Sequence, residues 1–241
     1  MKKRMSVVVL LAGLALAGGS SVFAQTTAAN AIFIDVNGAG QTQSRTINTS
    51  TTFPLYGETA GINAAQKIAS GAIFDISGGY RVWRGLSVAV GFSAFSRTSN
   101  GALIASIPSP IAFNRPLTVT ASSSGLKHTE LGTHVMAVWF FPITDKIDVD
   151  VFGGPSFIRL NQDVMTASVP PGTRDLNIER PSRQTETAKG GNAGINATYL
   201  FSRHYGIGLF MRYAGGSVDL PAASNVKVGG FQAGGGLRLR F

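Results

Sequence analysis

The chain ends on FQAGGGLRLRF, residues 231–241, and this stretch decides the fold class. Alternate positions separate into two faces: one carries Phe231 and Leu239, and the other carries Arg238 and Arg240 among glycines. A period of two residues is typical of a β-strand. Because two arginines cannot enter an apolar protein core cheaply, the pattern indicates a strand with lipid on one side and a polar interior on the other.

The opposite end of the chain has the composition of a secretory signal peptide. A basic start, residues 2–4, precedes an apolar run over residues 7–17, and small residues follow before a cleavage point. The apolar run is short for a membrane helix, and no second apolar run of spanning length follows it. We therefore predict a signal peptide over residues 1–24 and a single barrel domain over residues 25–241.

The composition also favours membrane strands over a soluble domain. The 241 residues include 30 glycines and no cysteine, and only 14% are charged, whereas soluble domains carry about a quarter. The absence of cysteine excludes disulfides and thiolate metal sites. The formal net charge is +9, but the basic residues are scattered, which argues against a nucleic-acid partner and permits attraction to anionic lipopolysaccharide.

Eight segments alternate in hydropathy with a period of two, and they are joined by alternately short and long connections. The predicted strands cover residues 31–41, 67–82, 86–96, 128–141, 147–160, 189–201, 205–214 and 231–241. Pro155 lies inside the fifth segment and predicts a bulge there. An even number of antiparallel strands can close without a free edge. The sequence thus predicts an all-β fold, an eight-stranded antiparallel transmembrane up-and-down β-barrel.

The lengths of the connections predict how the barrel is oriented. Short links follow residues 82, 141 and 201 and are expected on the periplasmic side. Four long segments are expected to be extracellular loops: residues 42–66, 97–127, 161–188 and 215–225. Aromatic residues beside the short links predict a girdle at one membrane interface; they are Trp83, Trp139, Phe140, Phe141, Tyr199, Phe201, Tyr205 and Phe241.

These features together resemble small outer-membrane β-barrels of the OmpA/OmpX type. The resemblance extends from Ala31 to Phe241, and residues 80–83, 140–146 and 153–156 resemble the short-turn segments of such barrels. It implies a monomer in the outer membrane of a Gram-negative bacterium, inserted by the barrel assembly machinery and surrounded by outer-membrane lipids and lipopolysaccharide. It also implies that Phe241 is an assembly signal. The chain stops at the last strand, so the peptidoglycan-binding domain of full-length OmpA proteins is not expected.

Charged side chains of both signs are predicted to point into the barrel. This lumen salt-bridge network comprises Asp35, Asp75, Arg81, His134, Asp148, Asp150, Arg212, Arg238 and Arg240. Counting from the short turns predicts a lower layer, in which Asp148 and Asp150 neutralise three arginines, and a middle layer that includes Asp35. The interior of an eight-stranded barrel is just wide enough for side chains to fill it. The network is therefore expected to plug the barrel, and the alternative is an ion or solute path.

Candidate catalytic residues are few. His128, Thr129 and Glu130, or the inward His134, could supply members of a nucleophilic triad, but a triad requires geometry that residue types alone do not establish. Asp148 and Asp150 fit the alternation as simple interior acids. The glycine runs lack a following helix, so no phosphate loop is predicted. We expect no enzyme activity, no metal and no cofactor.

Five phenylalanines share the inward face and leave two functions open: Phe33, Phe95, Phe140, Phe152 and Phe210. They are expected to fill space beside glycines of neighbouring strands. The alternative is an apolar cavity for a small hydrophobic molecule, as in OmpW-like barrels. The sequence therefore predicts a non-enzymatic outer-membrane protein with an envelope-structural or surface-interaction role through its outer loops, or alternatively a transporter or narrow conduit for small hydrophobic molecules.

Overall fold

The computed structural model of the chain describes residues 31–42, 44–170, 173 and 175–241. The predicted signal peptide lies outside these residues. Within them, no helix is long and apolar enough to cross a membrane.

The described residues form twelve strands, numbered here in chain order. Their bounds are β1 (Ile32–Gln41), β2 (Arg45–Leu55), β3 (Glu58–Ile68), β4 (Gly71–Trp83), β5 (Leu86–Ile107), β6 (Leu117–Pro142), β7 (Ile147–Val164), β8 (Ala167–Ser168), β9 (Asn177–Ile178), β10 (Ser182–Leu200), β11 (Tyr205–Leu220) and β12 (Ala223–Arg240).

Eight of these strands close into a ring, in the order β5, β4, β1, β12, β11, β10, β7, β6 and back to β5. All the pairs are antiparallel. We followed each residue to its cross-strand partner on the next strand, starting at Lys227 on β12. After one full turn of the ring the path returns to β12 at Leu237, ten residues away. This stagger is what tilts the strands of a closed barrel. The predicted eight-stranded antiparallel barrel is confirmed.

Alternate side chains separate an apolar outer surface from a polar interior. Leu209 on the outer face of β11 is 69% exposed, whereas Arg238 on the inner face of β12 is 0% exposed. A soluble protein distributes these residue types in the opposite way. The outer surface therefore has the character of a lipid-facing band, and the predicted faces of the strands are confirmed.

The segments predicted as long loops are largely β-structure, which corrects the sequence prediction. β2 and β3 form a hairpin, and β3 pairs with β5 from Gly61 opposite Ser106 to Gln66 opposite Gly101. β5 and β6 continue their pairing to Ile107 opposite Leu117. These stretches look polar in sequence because an antiparallel sheet in water needs only one apolar face.

This part of the molecule, called the extension here, comprises β2, β3, β8, β9 and the ends of β5 and β6 beyond the ring. It has a small apolar core, whose buried members include Ile62, Leu103, Leu126 and Met165. Its tips are also joined. The backbone N–H of Asn114 donates to Glu58 Oε1 at 3.0 Å, and the Tyr56 hydroxyl donates to the Thr173 carbonyl at 2.7 Å. The extension is therefore a packed unit.

Pro155 does not produce the predicted bulge. The register between β6 and β7 is the same on both sides of it, with His134 opposite Ser156 and Ala137 opposite Gly153. Between these two pairs, no residue of β7 is paired with β6, whereas the pairing of β7 with β10 continues through Pro155. A proline lacks the N–H that a strand donates to its neighbour. Here the proline interrupts the pairing with β6, but the strand contains no extra residue and so no bulge.

The aromatic girdle surrounds the end of the barrel that has the short turns. Its exposed members are Trp83, Trp139, Phe141, Tyr199, Phe201, Tyr205 and Phe241. The Trp83 and Trp139 rings meet edge to face with centroids 6.4 Å apart. Phe140 is the exception to the prediction, because it is buried in the interior.

Candidate functional site

The buried ion pairs nearest the short turns centre on Asp35. Its Oδ1 lies 2.7 Å from Arg240 Nη1 and 3.8 Å from Arg238 Nε. Asp35 and Arg238 are direct cross-strand partners of β1 and β12, so the closure of the ring creates this contact. Arg238 also donates from Nη1 to Asn37 Oδ1 at 2.7 Å.

The predicted pairing in this layer is therefore wrong. Asp148 and Asp150 form none of these ion pairs, and Asp150 instead accepts a hydrogen bond from Asn196 Nδ2 at 2.9 Å. The Arg81 guanidinium lies 5.4 Å from the centroid of the Phe140 ring, an arrangement that attracts a cation to the ring face. The stagger of the strands explains the error, because equal residue counts from the turns do not mean equal depth in a tilted barrel.

A second ion pair occupies the middle of the barrel. Arg212 Nη2 lies 2.8 Å from Asp75 Oδ2, and both side chains are buried. Arg212 Nε donates to Gln232 Oε1 at 2.8 Å. Asn37 Nδ2 donates to Asp75 Oδ1 at 3.3 Å and so joins this pair to the Asp35 group.

The third group surrounds Glu130 at the end nearest the extension. Its carboxylate lies 2.8 Å from His128 Nε2 and 3.4 Å from an Arg45 nitrogen, and it accepts the Gly229 N–H at 2.9 Å. Arg45 comes from β2 and also donates to the carbonyls of Lys227 and Gly229. His128, the first residue of the predicted strand 128–141, is 0% exposed inside the barrel.

Four glutamines link these groups and were not predicted as site residues. Gln41 contacts Glu130 at 3.4 Å and Gln232 at 3.0 Å. Gln162 lies 2.6 Å from His128 and donates to Gln66 at 2.7 Å. The period-two pattern already placed Gln41 and Gln232 on inward faces, so that signal was present in the sequence. An amide can donate and accept at once, which suits it to bridge charged groups.

Hydrogen bonds and ion pairs together form one continuous chain of contacts through the barrel, called the polar spine here. In order from the extension to the short turns it runs through Ser99, Gln66, Gln162, His128, Glu130, Gln41, Gln232, Arg212, Asp75, Asn37, Arg238, Asp35 and Arg240. It crosses the interior from one end to the other.

Two of the five inward phenylalanines, Phe33 and Phe152, pack against glycines as expected. A Cβ on Gly79 would lie 2.6 Å from the Phe33 ring, and a Cβ on Gly194 would collide with the Phe152 ring. Spaces of only about 20 Å³ and about 10 Å³ remain between interior side chains. Charged members of the polar spine line both spaces, so neither is a purely apolar cavity.

The histidines do not assemble a catalytic triad in the described part of the chain. His134 lies between the hydroxyls of Ser93 at 3.0 Å and Ser156 at 2.8 Å, without a carboxylate contact. Both ring nitrogens of His128 are occupied by Gln162 and Glu130. Among the residues described, no cluster of three histidine, aspartate or glutamate side chains is placed to hold a metal ion.

No protein-family description and no curated protein matches the sequence. Several solved structures are similar in fold. Neisserial surface protein A is 14% identical, with 89% of this chain and 100% of that chain covered and a TM-score of 0.46. OprG from Pseudomonas aeruginosa is 10% identical over 88% and 96%, with a TM-score of 0.49. Ail from Yersinia pestis is 11% identical over 87% and 99%, with a TM-score of 0.39.

The closed ring, the apolar outer band and the charged interior decide the fold. The chain has the fold of the small outer-membrane β-barrels. At the end of the ring, Phe241 joins the last strand to the first: its N–H donates to the Ile32 carbonyl at 2.8 Å, and its carbonyl accepts the Ile32 N–H at 2.9 Å. The Phe241 side chain stays exposed at the girdle.

Proposed function

We propose that this chain is a closed, non-enzymatic outer-membrane barrel that presents the extension at the cell surface for envelope-structural or surface interactions. The polar spine is the observation that carries the proposal. Its buried ion pairs join β1, β4, β11 and β12 across the lumen, and opening a path through it would leave charged groups unpaired at considerable cost.

The packing of the extension supports the surface role. Its strands pair along their length, its apolar residues form a core, and its tips are held together by hydrogen bonds. Exposed apolar residues remain at the far tip, where Ile111 is 94% exposed. In the proposed orientation the short turns face the periplasm and this tip faces outward. A packed platform loses less conformational entropy on binding than a mobile loop does.

Electrical recording tests whether the barrel is closed. The refolded protein is expected to give no steady conductance in planar bilayers, because the polar spine fills the lumen. Uptake of a fluorescent apolar probe such as N-phenylnaphthylamine into proteoliposomes is expected to equal that of protein-free liposomes. A large stable conductance would refute the closed barrel, and accelerated probe uptake would favour the alternative, a conduit for small hydrophobic molecules.

The surface role is tested by removing the β2–β3 hairpin. Replacing residues 49–64 by a short glycine–serine linker is expected to retain the ring, since β2 and β3 are not members of it and the interior residues Ile47 and Gln66 stay in place. Cells displaying this variant should adhere less to epithelial monolayers than cells displaying the intact chain at equal surface level. Equal adhesion would contradict a surface role for the extension.

Phe241 remains the proposed assembly signal. The corresponding measurement is the insertion yield in cells of a chain that lacks Phe241.

A further inference from the structure

The first polar residue that faces outward beyond the apolar band is a cation on one side of the barrel only. On each ring strand we compared the first polar, outward-facing residue beyond the band. That residue is a cation on three neighbouring or next-neighbouring strands: Arg159 on β7, Lys189 on β10 and Lys227 on β12. β11, between the last two, has Ser217. On the other four strands, β1, β4, β5 and β6, the corresponding residues are Thr42, Ser70, Ser96 and Thr129.

The strand register makes these residues one surface. Lys189 is the direct partner of Ser217, and Ser217 is the direct partner of Lys227. Because neighbouring strands lie about 4.8 Å apart, the two lysines emerge about 10 Å from each other. Arg159 is the partner of Thr187, which places it diagonally beside Lys189. We call these residues the cationic patch.

The charge of the cationic patch is not neutralised within the protein. In the part of the chain that the structure describes, none of its three cations belongs to an ion pair. The nearest outward acids have other partners: Asp163 pairs with Arg183 at 3.1 Å, and Asp219 accepts the Asn225 N–H at 2.6 Å.

The cationic patch directly adjoins apolar side chains of the band. Lys189 is the cross-strand partner of Phe157, and Arg159 follows Phe157 on the same face of β7. Tyr213 and Phe231, which are partners of each other, lie below Ser217 and Lys227. All these ring side chains are exposed on the outer surface. A ligand that bound here would contact both the anion-binding cations and an apolar surface against which acyl chains can lie.

We propose that the cationic patch binds the phosphorylated headgroup of an outer-leaflet glycolipid whose acyl chains lie along the adjoining band. Arginine binds phosphate oxygens through two parallel hydrogen bonds and lysine through a point charge, and the neighbouring hydroxyls add donors. The contact with the band favours a lipid over a soluble polyanion. This inference rests on the proposed outer-membrane location but not on whether the barrel is closed.

The test uses the refolded full chain in neutral detergent micelles, with lipid binding measured by native mass spectrometry. The probes are diphosphoryl lipid A and its dephosphorylated form. Replacing the three cations together, Arg159→Gln, Lys189→Gln and Lys227→Gln, is expected to weaken binding of diphosphoryl lipid A roughly tenfold. The wild type should bind the dephosphorylated lipid about as weakly as this variant binds the diphosphoryl one.

A charge-matched control separates the cationic patch from net charge. Arg84→Gln, Lys146→Gln and Arg203→Gln remove the same charge from the short-turn end, and this variant should bind like the wild type. Equal weakening of both variants, or indifference to the phosphates, would overturn the proposal. Binding of heparin as tight as that of lipid A would point to a soluble polyanion and refute the lipid. If the barrel conducts but the variants bind the lipids as expected, the closed lumen is refuted and the lipid-binding proposal stands.

Discussion

Asp35→Asn is expected to destabilise the folded barrel by about 3–5 kcal/mol, the usual cost of breaking a buried ion pair by removing one partner. Asp35 is the carboxylate shared by Arg238 and Arg240, and all three side chains are buried. The asparagine retains an oxygen acceptor but no charge, so two guanidinium groups would remain in the interior without their counter-charge. Equilibrium urea unfolding in lipid vesicles, followed by tryptophan fluorescence, measures the loss.

Asp148→Asn is the matched control, because it removes an interior acid at the same end that belongs to none of the observed ion pairs. Its expected loss is clearly smaller. A double-mutant cycle sharpens the test: coupling with Asp35 should be larger for Arg240→Met, at 2.7 Å, than for Arg238→Met, at 3.8 Å. Equal losses for Asp35→Asn and Asp148→Asn would mean that the charge is shared across the whole layer.

Leu209→Arg is expected to destabilise the barrel in a bilayer by about 2–4 kcal/mol, the cost of a cation on the lipid face at the midplane. Leu209 lies on β11 midway between Tyr205 and Tyr213, and its side chain projects outward with 69% exposure. The new guanidinium would have to reach an interface along the barrel surface or draw water into the band. The fraction that folds into vesicles, read from the migration of unboiled protein on a gel, reports the defect together with urea unfolding.

Ser96→Arg is the control for this change, since it introduces the same side chain on an outward face of the ring, beyond the apolar band and opposite the neutral Thr129. It should fold as the wild type does. If both variants folded equally well, the result would contradict the conclusion that this outer surface faces lipid.

The long polar segments illustrate where prediction from sequence stopped. Residues 45–55, RTINTSTTFPL, contain few apolar residues and were predicted as part of a loop. They form β2, which pairs with β3 along its whole length. Strand pairing at a sheet edge depends on a partner supplied elsewhere in the chain, and local hydropathy carries little of that information.

The ring strands, their inward and outward faces and all of the girdle except Phe140 could be predicted from the sequence, because each depends on a period of two residues or on neighbours in the chain. Gln41, Arg212 and Arg238 could all be placed in the interior on that basis. Which of these side chains meet depends on the folded ring. Closure of the ring brings Asp35 opposite Arg238, and the ten-residue stagger sets the depth of every side chain relative to those of other strands. That stagger is a property of the whole ring, so the polar spine could not be obtained from any one strand.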